Sequence, residues 1–265
     1  MPFPVELALL GGGLGLLLGS LQNVLIHRLP IGESVLRPRR SYCPACRTPI
    51  RAIDNIPLLS YALLRGRCRT CGARISPRYP LVEGGMGLWT ATILAMHGRT
   101  FDAAEGIAFG FVLLPLAIID ARTYRLPDGL VGTGALLALG IALLRWALGG
   151  PTGAVFERFI AGGFGFGFLA LVRGIGGIAA RREAMGFGDV KFFGMIGLFL
   201  GNLLLVAVTA TIGAILGAAV GSILVLRRRE GNRAIPFGPF LAVAAAFVYL
   251  FRDPVVDLLG RLAVR

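Results

Sequence analysis

The sequence predicts an all-α polytopic integral membrane protein of about eight transmembrane helices with a small cytoplasmic zinc-knuckle loop domain. Three observations predict it. Of 265 residues, 55% are hydrophobic and 15% charged, and the mean hydropathy is +0.76, far more apolar than a soluble domain of this length. The apolar residues are gathered into runs separated by short polar loops. All four cysteines fall in one loop, as two Cys-x-x-Cys pairs.

The runs lie at 5–26, 81–98, 104–121, 129–148, 155–172, 190–201, 203–226 and 235–251. Each is about long enough to cross a hydrocarbon core of roughly 30 Å, except the short run 190–201. Only Gly201 and Asn202 separate that run from the next, which predicts a tight hairpin, with one long broken helix as the alternative. The chain begins Met-Pro-Phe-Pro-Val-Glu without the basic start and cleavage site of a secretory signal, so the first segment is expected to be retained. The 39 glycines, many inside apolar runs, predict close helix packing in a membrane.

Basic residues alternate with the runs. Residues 27–80 hold eleven arginines, followed by Arg122 with Arg125, Arg173 with Arg181 and Arg182, and Arg227 to Arg229 with Arg233. By the positive-inside rule these loops are cytoplasmic and both termini lie outside. The net charge of +13 is thereby explained by topology. No aromatic-interleaved recognition motif accompanies it, so no nucleic-acid partner is expected; membrane lipid is. Three regions follow: a first transmembrane helix at 1–26, a cytoplasmic loop domain at 27–80, and a seven-helix core at 81–265.

Cys43, Cys46, Cys68 and Cys71 form two pairs with twenty-one residues between them, close to the spacing of a four-thiolate structural zinc site. Ile50 and Ile75 each follow the second cysteine of a pair by four residues, so the unit Cys-x-x-Cys-x-x-x-Ile occurs twice. A loop of some fifty residues buries too little apolar surface to fold alone, and a metal supplies the missing stability. Disulfides are disfavoured on a reducing cytosolic side, and a redox pair does not need two matched units.

Acids near hydrocarbon mark function. Asp120 ends the run Val-Leu-Leu-Pro-Leu-Ala-Ile-Ile at a helix C-terminus, where the macrodipole disfavours negative charge. The bland alternative is an ion pair with Arg122 or Arg125. Asp189 opens the sixth run after Gly186 and Gly188, glycines that admit a close backbone approach; its bland alternative is a helix cap. The third run goes outside to inside and the sixth inside to outside, so both carboxylates fall at the cytoplasmic boundary. There they can share a proton, one as base toward water and the other as acid toward a carbonyl oxygen. Asp128 after Pro127 reads as a cap at the start of the fourth helix. Lys191 follows Asp189 by two residues, and Glu83, just inside the second run, reads either as functional or as a partner of nearby arginines. His27 and His97 fall on opposite faces, and no serine sits in a nucleophile-elbow context, so serine and metallo-hydrolase chemistries lack their parts.

Taken in order, the motifs closely resemble the type IV prepilin peptidases, bacterial Gly-x-Gly-Asp membrane aspartyl proteases. The resemblance rests on Gly19-Ser20-Leu21-Gln22-Asn23-Val24 through Arg28-Leu29-Pro30, both cysteine pairs, Asn55-Ile56-Pro57-Leu58-Leu59-Ser60-Tyr61 and Leu64-Arg65-Gly66-Arg67-Cys68. It continues through Arg78-Tyr79-Pro80-Leu81-Val82-Glu83, Asp120 with Leu126-Pro127-Asp128, Met185-Gly186-Phe187-Gly188-Asp189-Val190-Lys191 and Ile235-Pro236-Phe237-Gly238-Pro239-Phe240. It implies a catalytic pair at Asp120 and Asp189, with Gly186, Gly188, Asp128, Lys191 and Glu83 in support. It also implies prepilin and type II secretion pseudopilin substrates cut after a basic leader at the cytoplasmic face of the inner membrane. By the same resemblance, S-adenosylmethionine is the donor for methylation of the new N-terminus. Gly84-Gly85 departs from the pattern, where family members commonly carry bulkier aliphatic residues.

Two other readings compete. A Gly-x-Gly-Asp protease with other substrates would cut inside a transmembrane helix. A proton-coupled transporter would use the aspartates as a relay and the cysteine loop as a zinc sensor, but it would be expected to show internal repeats, and none is visible.

Overall fold

The computed structural model describes residues 4–38, 40–180, 185–227 and 235–263. Arg181, Arg182, Arg228, Arg229 and Arg233, expected to mark cytoplasmic loops, lie outside the described residues. Every apolar run forms a helix: α1 (Val5–Arg28), α3 (Arg78–His97), α4 (Phe101–Thr123), α5 (Asp128–Ala147), α6 (Gly153–Ala180), α7 (Phe187–Leu200), α8 (Leu203–Arg227) and α9 (Gly238–Leu250). Between α1 and α3 lies the short α2 (Leu59–Leu63), and α10 (Arg252–Ala263) closes the chain.

Among the described residues five helices are long and apolar enough to cross a membrane, or six if α9 and α10, bent by 82° at Phe251, form one broken span. This is fewer than the eight spans the runs predict. The reason for α7 is length: at 14 residues it reaches about 21 Å, short of a hydrocarbon core. Large apolar side chains such as Leu9, Leu88, Leu136 and Phe156 point outward, the arrangement of a protein solvated by lipid.

The chain divides into two compact units, residues 1–115 and 116–265. In the first, α1 packs along α3 through Gly11, Gly15 and Gly19, spaced four apart on one face. A Cβ at Gly15 would stand 2.4 Å from the Met86 carbonyl oxygen, and one at Gly19 2.6 Å from Glu83 Cα. Backbones this close exclude any side chain at those positions. Pro115 inside α4 has no N–H for the carbonyl of Phe111, one turn earlier. Gln22 Nε2 of α1 donates to that Phe111 oxygen and to Gly110 O, each at 3.1 Å. A proline in an apolar helix is tolerated where a neighbour satisfies the freed carbonyl, and Gln22 is that neighbour.

In the second unit α7 is the central element, packed on α5, α6, α8 and α9. Val190, Phe192, Phe193, Met195, Ile196 and Phe199 are all buried, the all-round burial of a helix that is apolar on every side. Against α6 the fit again uses small residues: a Cβ on Gly197 would lie 2.4 Å from Ala161 O. The break after α7 is two residues long, with Gly201 at φ +60° and the Asn202 Oδ1 accepting from Leu204 and Leu205 N–H. It makes two helices rather than one long broken one. They do not form a closely packed hairpin, because α7 leans on α6 far more than on α8. Helix α6 extends well past the run 155–172, so Arg173, expected in a loop, lies within it and donates from Nε to Met185 O at 3.0 Å. Helix α10 has no counterpart in the run analysis, since its apolar residues alternate with Arg252, Asp253, Asp257 and Arg261 instead of forming a run.

Candidate active site

In the first unit the two cysteine pairs fold alike, displaced by 25 positions. Cys43 N–H donates to Thr48 O and Cys68 N–H to Ala73 O. Arg47 N–H donates to Cys43 O and Gly72 N–H to Cys68 O, while Ile50 N–H reaches Ser41 O and Ile75 N–H reaches Gly66 O. Isolated bridges pair Tyr42 with Pro49 and Arg67 with Arg74. The residue after each second cysteine is left-handed, Arg47 at φ +59° and Gly72 at φ +70°. These matched turns aim four thiols at one point.

The four cysteines are free thiols whose Sγ atoms all lie within 4.8 Å of one another, with Cys43 and Cys71 Sγ 3.9 Å apart. A tetrahedral zinc with Zn–S bonds of about 2.3 Å requires sulfur separations of roughly 3.8 Å, so the tetrad fits that ion. Thr48, through its hydroxyl and its backbone, lowers the Cys46 thiol to about 6, while at Cys71 the Ala73 backbone contact is outweighed by burial and the neighbouring thiols, which push it up to about 11.

Asp54 and Arg69 tie the module together: Arg69 Nε reaches both carboxylate oxygens at 3.0 Å and Nη2 reaches Oδ1 at 2.7 Å. The Arg69 guanidinium hydrogen-bonded to Asp54 holds that carboxyl below its ordinary value. The buried Arg28 guanidinium donates to the carbonyls of Ser34, Val35, Pro38 and Arg40, gathering the start of the loop. Among the described residues Glu83 forms no ion pair with an arginine. Its Oε2 accepts the N–H of Leu58 at 2.9 Å, a residue held at φ +60°, so Glu83 positions a strained turn. A groove of about 510 Å³ opens beside the first pair, lined by Glu33, Pro38, Arg40, Tyr42, Arg47 and Pro49.

In the second unit Asp120 stands in the last turn of α4, 5% exposed. No described arginine, Arg122 and Arg125 included, forms an ion pair with it. Instead its Oδ2 accepts the N–H of Gly238 at 3.0 Å. Gly238 is the first residue of α9, where backbone amides are unsatisfied and the helix field is positive. The unfavourable field of one helix end is thus offset by the favourable start of another. Only glycine fits there, because a Cβ would lie 2.6 Å from Asp120 Oδ2.

Asp189 lies in the first turn of α7 yet caps nothing; the turn has no side-chain cap. Its Oδ1 is buried without a hydrogen-bond partner, and the charge of Asp120 is felt at its carboxyl. Gly186 lies against it, with a would-be Cβ 3.6 Å from Oδ2, and Gly188 packs on Leu126. Asp128 caps nothing either. It pairs with Lys191 Nζ at 2.6 Å, linking α5 to α7, while that ammonium also lies over the Phe187 ring. The cap readings fail for different reasons: Asp128 is taken by Lys191 of another helix, whereas the buried Asp189 Oδ1 meets no donor among the described residues. Gly238 was missed as a site residue; its signal was the proline-flanked Phe237-Gly238-Pro239 start of an apolar helix.

Together these features define a class: a multi-helix membrane protein with aspartates at two helix ends of one unit and a metal-fit cysteine module. The chain belongs to the type IV leader peptidase family, whose model matches residues 107–226, preceded by a bacterial peptidase A24 N-terminal domain at 14–97. It is 36% identical to a prepilin leader peptidase/N-methyltransferase of Burkholderia pseudomallei strain 1026b, over 93% of this chain and 86% of that one. It is 34% identical to a protein of the same description from Stutzerimonas stutzeri, over 95% and 93%. It is also 35% identical to an Escherichia coli O78:H11 type 4 prepilin-like proteins leader peptide-processing enzyme, over 94% and 96%. No solved structure matches it.

Proposed function

We propose that the chain cleaves the basic leader from type IV prepilins and type II secretion pseudopilins at the cytoplasmic face of the inner membrane, and methylates the new N-terminus. Proteolysis is assigned to Asp120 and Asp189. The observation that carries this is the buried Asp189 oxygen without a hydrogen-bond partner, in the same unit as the buried Asp120. A structural acid would be satisfied by a donor; a catalytic one keeps an oxygen for substrate.

Asp120, oriented by the Gly238 N–H, acts as base: it takes a proton from water, whose oxygen adds to the peptide carbonyl carbon. Asp189 supplies its proton to the carbonyl oxygen, giving a gem-diol. On collapse, Asp120 passes its proton to the departing nitrogen and Asp189 recovers one from a diol hydroxyl. No covalent intermediate forms. The missing side chain at the exposed Gly186 gives an extended substrate backbone room beside Asp189, Gly188 lets α7 pack on Leu126, and the Asp128–Lys191 pair holds α5 and α7 in register.

The cysteine tetrad is assigned a structural zinc on the cytoplasmic side. Eight membrane segments are assigned to α1, α3 to α6, and α7 to α9, the short α7 crossing where the bilayer thins around it, with both termini outside and regions at 1–26, 27–80 and 81–265. S-adenosylmethionine, when bound, supplies an electrophilic methyl group to the new α-amine. The groove fits it in size and in lining: Arg40 and Arg47 for a carboxylate, and the Tyr42 ring, held by Glu33, as an apolar wall.

The test is cleavage of a prepilin carrying a basic leader before Gly-Phe, by purified protein in detergent, comparing wild type with Asp120→Asn and Asp189→Asn. Both variants should lose cleavage while retaining zinc. Near-full activity in either variant would remove that carboxylate from the mechanism.

A further inference from the structure

The cytoplasmic module carries an apolar edge that water should not tolerate. Ile53 is 67% exposed, Leu59 51% and Leu63 71%, with Ile56 also exposed. Leu59 and Leu63 are one turn apart on α2 and share its face. Arg51, Arg65 and Arg67, all exposed, flank these residues.

Charge identifies what covers the edge. Residues 27–80 hold eleven arginines and two acids, Glu33 and Asp54. Both acids are already engaged, Glu33 by the Tyr42 hydroxyl and Asp54 by Arg69. The module therefore presents guanidinium groups beside exposed aliphatic side chains, the pairing that suits a surface with anionic heads and an apolar interior. The chain also leaves the module no distance to travel: the span candidate Val5–Ile31 runs directly into it, with only residues 32–50 before Arg51.

We propose that the segment from Arg51 to Arg67 lies on the anionic leaflet of the membrane, with Ile53, Ile56, Leu59 and Leu63 in the boundary between headgroups and acyl chains and Arg51, Arg65 and Arg67 on lipid phosphates. The zinc tetrad then sits in a module laid flat on the bilayer instead of one extended into the cytosol. This goes beyond the assigned activity and does not depend on it.

The test uses the full zinc-loaded chain in nanodiscs. Leu63→Trp adds one indole, and subtracting the wild-type emission removes Trp89 and Trp146. In discs containing phosphatidylglycerol the added emission should be blue-shifted and mostly lost when the acyl chains are brominated. Adding Leu59→Asp to Leu63→Trp should restore a red-shifted, unquenched signal with unchanged zinc content. If Leu63→Trp loses zinc, Ile53→Trp serves as the probe. Water-like, unquenched emission overturns the proposal. So does a blue shift without bromolipid quenching, which would mean that protein covers the edge, or quenching that appears only with added prepilin, which would assign the edge to substrate.

Discussion

Substituting Gly238 by alanine isolates the contact that orients Asp120. The added Cβ would stand 2.6 Å from Asp120 Oδ2 and 3.1 Å from Cγ, where ordinary van der Waals contact needs roughly 3.5 Å. Either the start of α9 retreats by about 1 Å or the carboxylate swings away, and both break the 3.0 Å hydrogen bond. A hydrogen bond to a charged group contributes roughly 1.5–3 kcal/mol, and each 1.36 kcal/mol in the barrier is tenfold in rate, so kcat for leader cleavage should fall roughly 10- to 150-fold. KM should change little, since no substrate contact is removed. The assay is steady-state cleavage of a prepilin in detergent, with methylation of an already cleaved pilin and zinc stoichiometry as controls for folding. Cleavage within about twofold of wild type, with both controls intact, would show that the Gly238–Asp120 contact does not matter to the chemistry.

Gln22→Leu should destabilise the first unit by roughly 1–2 kcal/mol, because Phe111 O, freed by Pro115, then has no donor in an apolar setting; thermal or denaturant unfolding in detergent reads it. Arg47→Gly should stabilise the zinc module by about 1 kcal/mol by removing a side chain from a left-handed position, whereas Gly72→Ala should destabilise it by a similar amount. Zinc release to a competing chelator orders the three proteins; equal release would count against matched turns. Asp54 has a lowered folded pKa, so the Arg69 contact stabilises the module above the ordinary carboxylate range and is lost as pH falls through the lowered value. The stability difference between wild type and Asp54→Asn should therefore be constant near neutrality and vanish in acid. A difference that does not shrink as pH falls below the ordinary carboxylate range, read while zinc is still bound, would assign it to packing instead of charge.

The cysteine repeat was the most legible part of the chain, because a turn of a few residues sets its own geometry and the spacing repeats in sequence. Helix positions were legible for a similar reason: hydropathy is summed along the chain. Their ends were not, since α6 runs on through Arg173 to Ala180, beyond its apolar run, and α10 carries no apolar run to announce it. Asp128 read as a helix start, and Glu83 as either functional or an arginine partner. Lys191 lies 63 positions from Asp128 and the Leu58 amide 25 from Glu83, so no local rule reached either contact.

By itself the sequence determined that this is a helical membrane protein, that its thiols form two matched turns suited to one metal, and which two aspartates lie at the edges of apolar helices. These follow from composition and short-range spacing. Tertiary structure alone decided how those acids are held: the Asp120 carboxylate meets a glycine amide 118 residues away, and Asp189 lies in its field with one oxygen unsatisfied. It also decided that Gln22 serves the carbonyl freed by Pro115. A buried charge or carbonyl takes whichever donor the packing of distant helices brings to it, and that choice is made in space, not along the chain.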